Sequence, residues 1–464
     1  MGGLEILVPI MAGAVVLVLQ AMWRSRSDDT WRAAASSLGL TFEASSLTGG
    51  PKITGHLDHY AVTVEVKRGG GGSNNNFTIV TVDGGTRIPN DIALASETFW
   101  SGLDVLGQEI VVGEKEFDDL VRVRGVESTL LAVLTGEARV AVAELVRVDR
   151  GVVKDGHVTS SRPGHERDGN KIEARVRRMV RIARLMSIRE QEIPERLAQN
   201  VQEDPSSGVR HRNLDYLRRF FWRHAKTMPA AEAALTDKSH RVRLLAGRIC
   251  GGRGIDALQG LVDDPTSPRD VAAEAFGLLA ERLPRADLEP RTLEVLRSPN
   301  DPLVIQALLT VRRERLIAAR ARVTGLLEGR RTAVVAAAAR AMGIMDDTRT
   351  TRVLLPLLDH DEDEVKIAAC AALGEAGTID AVETLMDHAK GLFKNAQLKS
   401  AARAAIEAIQ GRVGGAEGAD GGRLSVIDPE QEGLLSVVAT KDPGALSVAG
   451  GEAGEVAIVD DDDQ

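Results

Sequence analysis

Val365-Lys-Ile-Ala-Ala-Cys-Ala-Ala-Leu-Gly-Glu-Ala-Gly377, followed by Thr378-Ile-Asp-Ala-Val-Glu-Thr-Leu385, is the stretch on which the rest of the chain is organised. Val365, Ala368, Ala369, Ala372 and Leu373 form one apolar helical stripe. Gly374 and Gly377 are expected to break that helix, and a second short one is expected from Asp380. An acidic corner, Asp359 to Glu364, precedes it, and an apolar turn, Val353 to Leu358, precedes the corner. The unit is therefore helix, acidic corner, Ala-rich helix, Gly stop. Aligned on the residue that opens the second helix, it recurs at Val209, Val242, Val271, Val304, Val335, Val365 and Leu398. The intervals are 33, 29, 33, 31, 30 and 33 residues, a spacing that stacked helix pairs produce and a single globular core does not.

Small residues follow each anchor: Ala246, Ala272-Ala273, Ala307, Ala336-Ala337, Ala368-Ala369 and Ala401-Ala402. Small side chains there let neighbouring pairs approach closely. Turn residues precede the anchors, at Asp204-Pro205, Asp237, Asp264-Pro265, Asn300-Asp301-Pro302 and Asp361. Asp and Asn suit the N-cap of the following helix, and Pro is tolerated in its first turn. The unit from Pro299 is degenerate, with Arg312-Arg313-Glu314-Arg315 where small residues and Gly are expected. The first unit carries the bulky run Phe220-Phe221-Trp222, expected to be a cap with atypical packing.

This pattern resembles the HEAT-repeat family in its short bacterial form, over about residues 193–412, most closely at Asp237–Gly252 and Asp361–Gly377. The resemblance implies a superhelix of helix pairs used as a binding surface, usually for protein, without catalysis. HEAT-like repeats also occur in lyases that attach bilin chromophores, so an enzyme that cradles a substrate in the superhelix is the alternative. The two Tyr residues and the scarcity of aromatics argue mildly against a stacked planar ligand.

Outward from the repeats, the expected fold is an α-solenoid C-terminal to a small α+β domain, with one N-terminal transmembrane helix and a disordered acidic tail. Residues 4–23 hold the uncharged run Ile6 to Trp23, about 27 Å as a helix and close to the ~30 Å thickness of bilayer hydrocarbon. Trp23 suits the interface, and Arg24 and Arg26 follow with nothing basic before, which places the N-terminus outside and the bulk of the chain in the cytoplasm. A cleaved signal peptide is the lesser reading, for want of a basic n-region and a clean cleavage site.

Residues 28–160 read as α+β. Alternating or β-branched runs at Ile53–Leu57, Tyr60–Val66, Phe77–Val82, Ile92–Ala95, Glu109–Val112, Val121–Val123 and Val152–Thr159 predict strands, and Ser128–Val146 predicts a helix. Gly69–Asn76 is expected to be a hairpin loop. Residues 28–190 loosely resemble a bacterial domain of unknown function, through Gly113–Asp118 and Val121–Gly125, a match that implies no chemistry. Residues 168–190 are expected to be a basic amphipathic linking helix, with Ile172, Val176, Met179, Val180 and Ala183 on one face. Its Arg175, Arg177, Arg178, Arg181 and Arg184 are candidates for anionic lipid headgroups, the alternative being a helix that packs its stripe on the α+β domain and solvates its arginines.

Residues 413–464 carry 2 basic and 12 acidic side chains and end in Asp460–Asp463, so the tail supplies the net charge of −9 and reads as disordered. With the folded parts near neutral, the basic excess of a nucleic-acid-binding protein is missing. Cys250 and Cys370 read as small core residues. His56-Leu-Asp-His59, the run Gly69–Gly72 and the acidic corner at His360 lack the spacing that metal or phosphate sites use, and no catalytic residue, metal or cofactor is assigned. The expected function is protein–protein scaffolding at the membrane, with Arg241, Arg243, Arg312, Arg313, Arg315 and Lys366 as candidate contacts on the exposed row of repeat helices.

Overall fold

The computed structural model describes residues 26–46, 49–68, 76–100, 109–329, 331–345, 348–390 and 395–416. The anchor at 4–23, the Gly69 loop and tail residues 417–464 lie outside them. No helix among the described residues is long and apolar enough to cross a membrane. The chain divides into two compact units, Met1–Leu283 and Pro284–Gln464.

The first unit opens with helix α1 (26–38) and an eight-stranded antiparallel sheet. Its strands are β1 (Thr41–Glu43), β2 (Lys52–Leu57), β3 (Tyr60–Arg68), β4 (Asn76–Asp83), β5 (Ile92–Ala95), β6 (Arg122–Gly125), β7 (Gly151–Lys154) and β8 (His157–Pro163). They lie in the order β1-β2-β3-β4-β8-β7-β5-β6. Alternation buries Tyr60, Val62 and Val64 of β3 and Val80 and Val82 of β4. The strand expected over Val152–Thr159 is instead a hairpin. Asp155 and Gly156 both take left-handed backbone at its two-residue turn, a conformation that Asp-Gly accepts at little cost. Glu109 makes only an isolated bridge to Arg124, not a strand.

The helices of this region are α2 (Glu97–Trp100), α3 (Lys115–Leu120), α4 (Glu127–Val133), α5 (Gly136–Asp149) and α6 (Gly169–Leu185). The single helix expected over Ser128–Val146 is broken, because Thr135 caps α5 by accepting from the Ala138 amide. Helix α6 is no free linker. Its apolar stripe, from Ile172 to Ala183, is buried against α5, β4 and β8.

Three helix pairs complete the first unit: α7 (Ile193–Glu203) with α8 (Ser207–Phe220), α9 (Thr227–Ala234) with α10 (His240–Cys250), and α11 (Ile255–Asp263) with α12 (Arg269–Ala280). The apolar cluster that starts at Trp31 runs unbroken through the sheet to Cys250. The sheet and the first two pairs therefore share one core. The second unit holds four pairs: α13 (Arg285–Val295) with α14 (Asp301–Arg313), α15 (Arg320–Leu327) with α16 (Thr332–Met342), α17 (Thr348–Leu354) with α18 (Asp363–Ala376), and α19 (Val382–Lys390) with α20 (Ala396–Ala416). Helix α20 extends four residues past the boundary expected at 412.

Every aligned anchor is buried, from Val209 to Leu398, and Ala246, Ala272, Ala307, Ala336, Ala368 and Ala402 are buried behind them. Within each unit the second helices of successive pairs stack on one another. Gly374 does not break its helix. It lies inside α18, where an added Cβ would sit 3.1 Å from Ala405 Cα of α20. The degenerate unit ends without glycine: Arg315 takes the left-handed position itself, at φ 51°.

Candidate functional site

In the first unit an open groove of about 910 Å³ runs along the corners between helices, lined by Asp204, Arg210, Asp237, Lys238, His240 and Arg241 among others. The corners share a repeated device. Each corner Asp folds back on the chain two residues later: Asp204 accepts from the Ser206 amide at 2.9 Å, Asp237 from Ser239 at 2.7 Å and Asp264 from Thr266 at 2.8 Å. Six residues after Asp204 and Asp237 stand Arg210 and Arg243. Arg210 donates to the carbonyls of Asp204 and Pro205, and Arg243 to those of Asp237 and Lys238. Each also reaches the Asp of the next corner. Arg210 binds Asp237 at 2.7 and 2.8 Å, and Arg243 lies 3.6 Å from Asp264.

Two of the corner carboxylates, Asp237 and Asp264, are held below their usual range. Burial alone would raise Asp237, but the Arg210 bond and the Ser239 amide outweigh it and hold the carboxyl below its usual range. Asp264 is pulled down to about 2, chiefly by hydrogen bonds from Thr266 and His240.

Asp204 has no preceding repeat to supply its arginine. The sheet domain supplies one instead. Arg139 of α5 donates to both oxygens of Asp204 at 2.8 and 2.9 Å, to the Leu134 carbonyl at 2.8 Å and to Glu114. Arg139 is 2% exposed and the Asp204 side chain 1%. The backbones close up beside this pair: a Cβ on Gly208 of α8 would lie 2.0 Å from the Gly113 carbonyl oxygen. Gly113 itself has φ +106°. Asn200 donates to the Leu131 carbonyl, and Arg212 pairs with Glu127 at 2.6 Å. The sheet domain thus occupies the place of a repeat before α7.

A second buried arginine behaves oppositely. Arg175 of α6 lies 3.7 Å from Asp149 and 3.5 Å from Glu166, and its Nη1 has no hydrogen-bond partner. Burial, with Arg162 adding to it, pushes its pKa down. Burial opposes Arg139 as well, but the bonds it donates to Asp204 and Glu114 more than compensate and its pKa rises. Hydrogen-bond geometry separates the two, not depth.

The candidate lipid contacts are engaged elsewhere. Arg175 is buried, so no headgroup reaches it. Arg177 pairs with Glu173, Arg178 with Glu144 and Asp149, Arg181 with Glu137, and Arg184 with Asp58 of the β2–β3 turn. These acids come from α5, from the sheet and from α6 itself, which is why α6 reads as basic in sequence and is neutralised in the fold.

Of the candidate protein contacts, Arg241 is exposed in the groove and pairs with Asp270 at 2.8 Å. Arg243 is the corner brace described above. In the second unit Arg312 reaches Glu375 and the Arg340 carbonyl, Arg313 pairs with Glu314, and Lys366 pairs with Asp363. The Arg315 carbonyl accepts from Arg285. Among the described residues no three His, Cys, Asp or Glu side chains gather as a metal site. The sequence reading missed Arg139 and Arg210; the repeated Asp-x5-Arg spacing was the signal for Arg210.

Residues 319–410 match the family model of HEAT repeats. No curated protein matches the chain. Among solved structures the chain is similar to YibA of Escherichia coli, at 16% identity over 48% of this chain and 93% of that one, with a TM-score of 0.35. It is also similar to an engineered protein (17% identity, 48% and 92%, TM-score 0.25). Human deoxyhypusine hydroxylase in complex with glycerol is a third (17%, 48% and 86%, TM-score 0.22). Residues 319–410 are HEAT repeats by that match, and the helix pairs before them keep the same anchor register back to Val209.

Proposed function

We propose that the chain is a HEAT-repeat scaffold that binds protein partners along its repeat helices while its N-terminal segment holds it at the cytoplasmic face of a membrane. The supporting observation is where the charges go. Corner acids and arginines brace the repeats against one another, leaving the outer surfaces of the helices as the part free to vary and to bind. An enzyme would need ionisable groups converging on a cavity, whereas the acids of the open corner groove are committed to ion pairs. The tether rests on the uncharged run Ile6–Trp23 and the arginines after it.

Photo-crosslinking residues placed in the full chain at Arg241 and Leu309, exposed on second helices, and at Ile317 and Ile379, exposed beside first helices, test the scaffold. A discrete adduct from the second-helix positions alone supports it. Adducts from neither set, or equally from both, count against it. Removal of residues 4–23 tests the tether separately, by whether the chain leaves the membrane fraction.

A further inference from the structure

The end of α8 and the turn after it carry an aromatic cluster in a chain with few aromatic residues. Tyr216, Phe220, Phe221 and Trp222 fall within seven positions. Tyr216 and Phe221 turn inward and pack against the core, whereas Phe220 is 58% exposed and Trp222 61%. The run expected to be a cap with atypical packing points its two end rings at solvent.

Each exposed ring carries a cation. The Arg223 guanidinium stands 4.5 Å from the Trp222 ring centroid, and that of Arg219 5.7 Å from Phe220. Arg218 and Lys226 stand nearby in sequence, and Asp215 is the acid that Arg218 and Arg219 share, at 2.7 Å and 3.5 Å. Arg223 and Lys226 face no carboxylate within ion-pair reach among the described residues. This is the reverse of α6, where the bases are matched by acids.

We propose that this tip, Phe220 to Lys226, is a membrane-contact site that docks on the anionic face of a bilayer. An apolar protein pocket would have to strip the guanidinium from the ring it covers. A bilayer boundary offers both layers within a few ångströms: acyl chain for the indole and phosphate for the guanidinium, which binds it bidentately. The basic excess complements anionic headgroups, and the tether Ile6–Trp23 of the same chain keeps a bilayer at hand. The inference rests on that tether, and the experiment separates the two.

The full chain is reconstituted in nanodiscs of phosphatidylcholine, alone or mixed with phosphatidylglycerol, with brominated acyl chains that quench tryptophan at the hydrocarbon boundary. The chain has 4 Trp residues, so the signal of Trp222 is the difference between wild type and W222F. Wild type is expected to be quenched more than W222F in anionic discs, with the difference shrinking in neutral ones. R219Q/R223Q removes two charges, each worth about fivefold at an anionic surface, and lowers the docked-to-free ratio by about thirtyfold. Equal quenching of wild type and W222F in anionic discs, with the other tryptophans still quenched, overturns the docking and leaves the tether intact. If none is quenched, both fall. If Trp222 is shielded from iodide yet untouched by bromolipid, protein covers the tip and the bilayer is excluded.

Discussion

Replacing Arg139 with leucine should destabilise the first unit more than any other single change considered for this chain. The substitution leaves the Asp204 carboxylate, 1% exposed, with the Ser206 amide and no ion-paired cation. Breaking a buried pair from one side costs about 3–5 kcal/mol. Protonation sets a ceiling: keeping a carboxyl of ordinary pKa neutral at pH ~7 costs about 4 kcal/mol. The expected loss is therefore about 3–4 kcal/mol, or a fall of about 6–16 °C in Tm for a unit of this size. D204A should cost less, because Arg139 keeps Glu114 and the Leu134 carbonyl. R139L/D204A, with neither charge left buried, should fall short of the sum of the singles by about 2 kcal/mol or more. Urea unfolding followed by far-UV circular dichroism and by fluorescence of buried Trp31 measures all three. A loss below about 1 kcal/mol for R139L, or simple additivity in the double variant, would refute the reasoning.

Other substitutions test the remaining features. R175M should change stability by less than about 1 kcal/mol or raise it, since the arginine it removes is desolvated without good bonds; a loss as large as that of R139L in the same unfolding assay would contradict this. G208A forces a Cβ onto the Gly113 carbonyl and should cost about 1–3 kcal/mol, whereas an unchanged melting curve would mean that the seam yields. Asp264 titrates at about 2 in the fold against an ordinary 3.8, so its stabilisation is full above the higher value and disappears as pH falls through the lower. D264N should accordingly melt below wild type at neutral pH and level with it near the folded pKa, and a gap that ignores pH would remove the explanation.

The repeats were legible because their signal is periodic. A buried β-branched or Leu anchor followed by alanine recurs every 30 or so residues, and each occurrence corroborates the others. Single events lacked that support. Asp155-Gly156 lies between the β-branched pairs Val152-Val153 and Val158-Thr159, and only its turn chemistry separates β7 from β8. Thr135 ends one helix and caps the next by a local bond that leaves the apolar stripe almost undisturbed. Arg139 was least accessible. It occupies one position on an ordinary amphipathic helix, and its partner lies 65 residues away. For α6 the sequence showed the bases but not the acids, because those come largely from other elements. Phe220-Phe221-Trp222 read as a cap with atypical packing, and only the path of the turn shows that Phe220 and Trp222 face outward.

The arginine that α5 lends to the first corner also constrains how such an array can change its length. A helix pair inserted between the first braced pairs must arrive with two residues, an aspartate at its corner and an arginine six positions later, so that it receives one bond and passes on another. Asp204–Arg210 and Asp237–Arg243 are two copies of that cassette. At the N-terminal end the receiving half is already fixed into the sheet, so a chain cut before Ile193 strands Asp204 without its cation. The repeats from Val209 onward therefore depend on the sheet for their first brace, and the linkage stops past Asp264, where the sixth residue is Asp270 and Ala272 follows the anchor Val271.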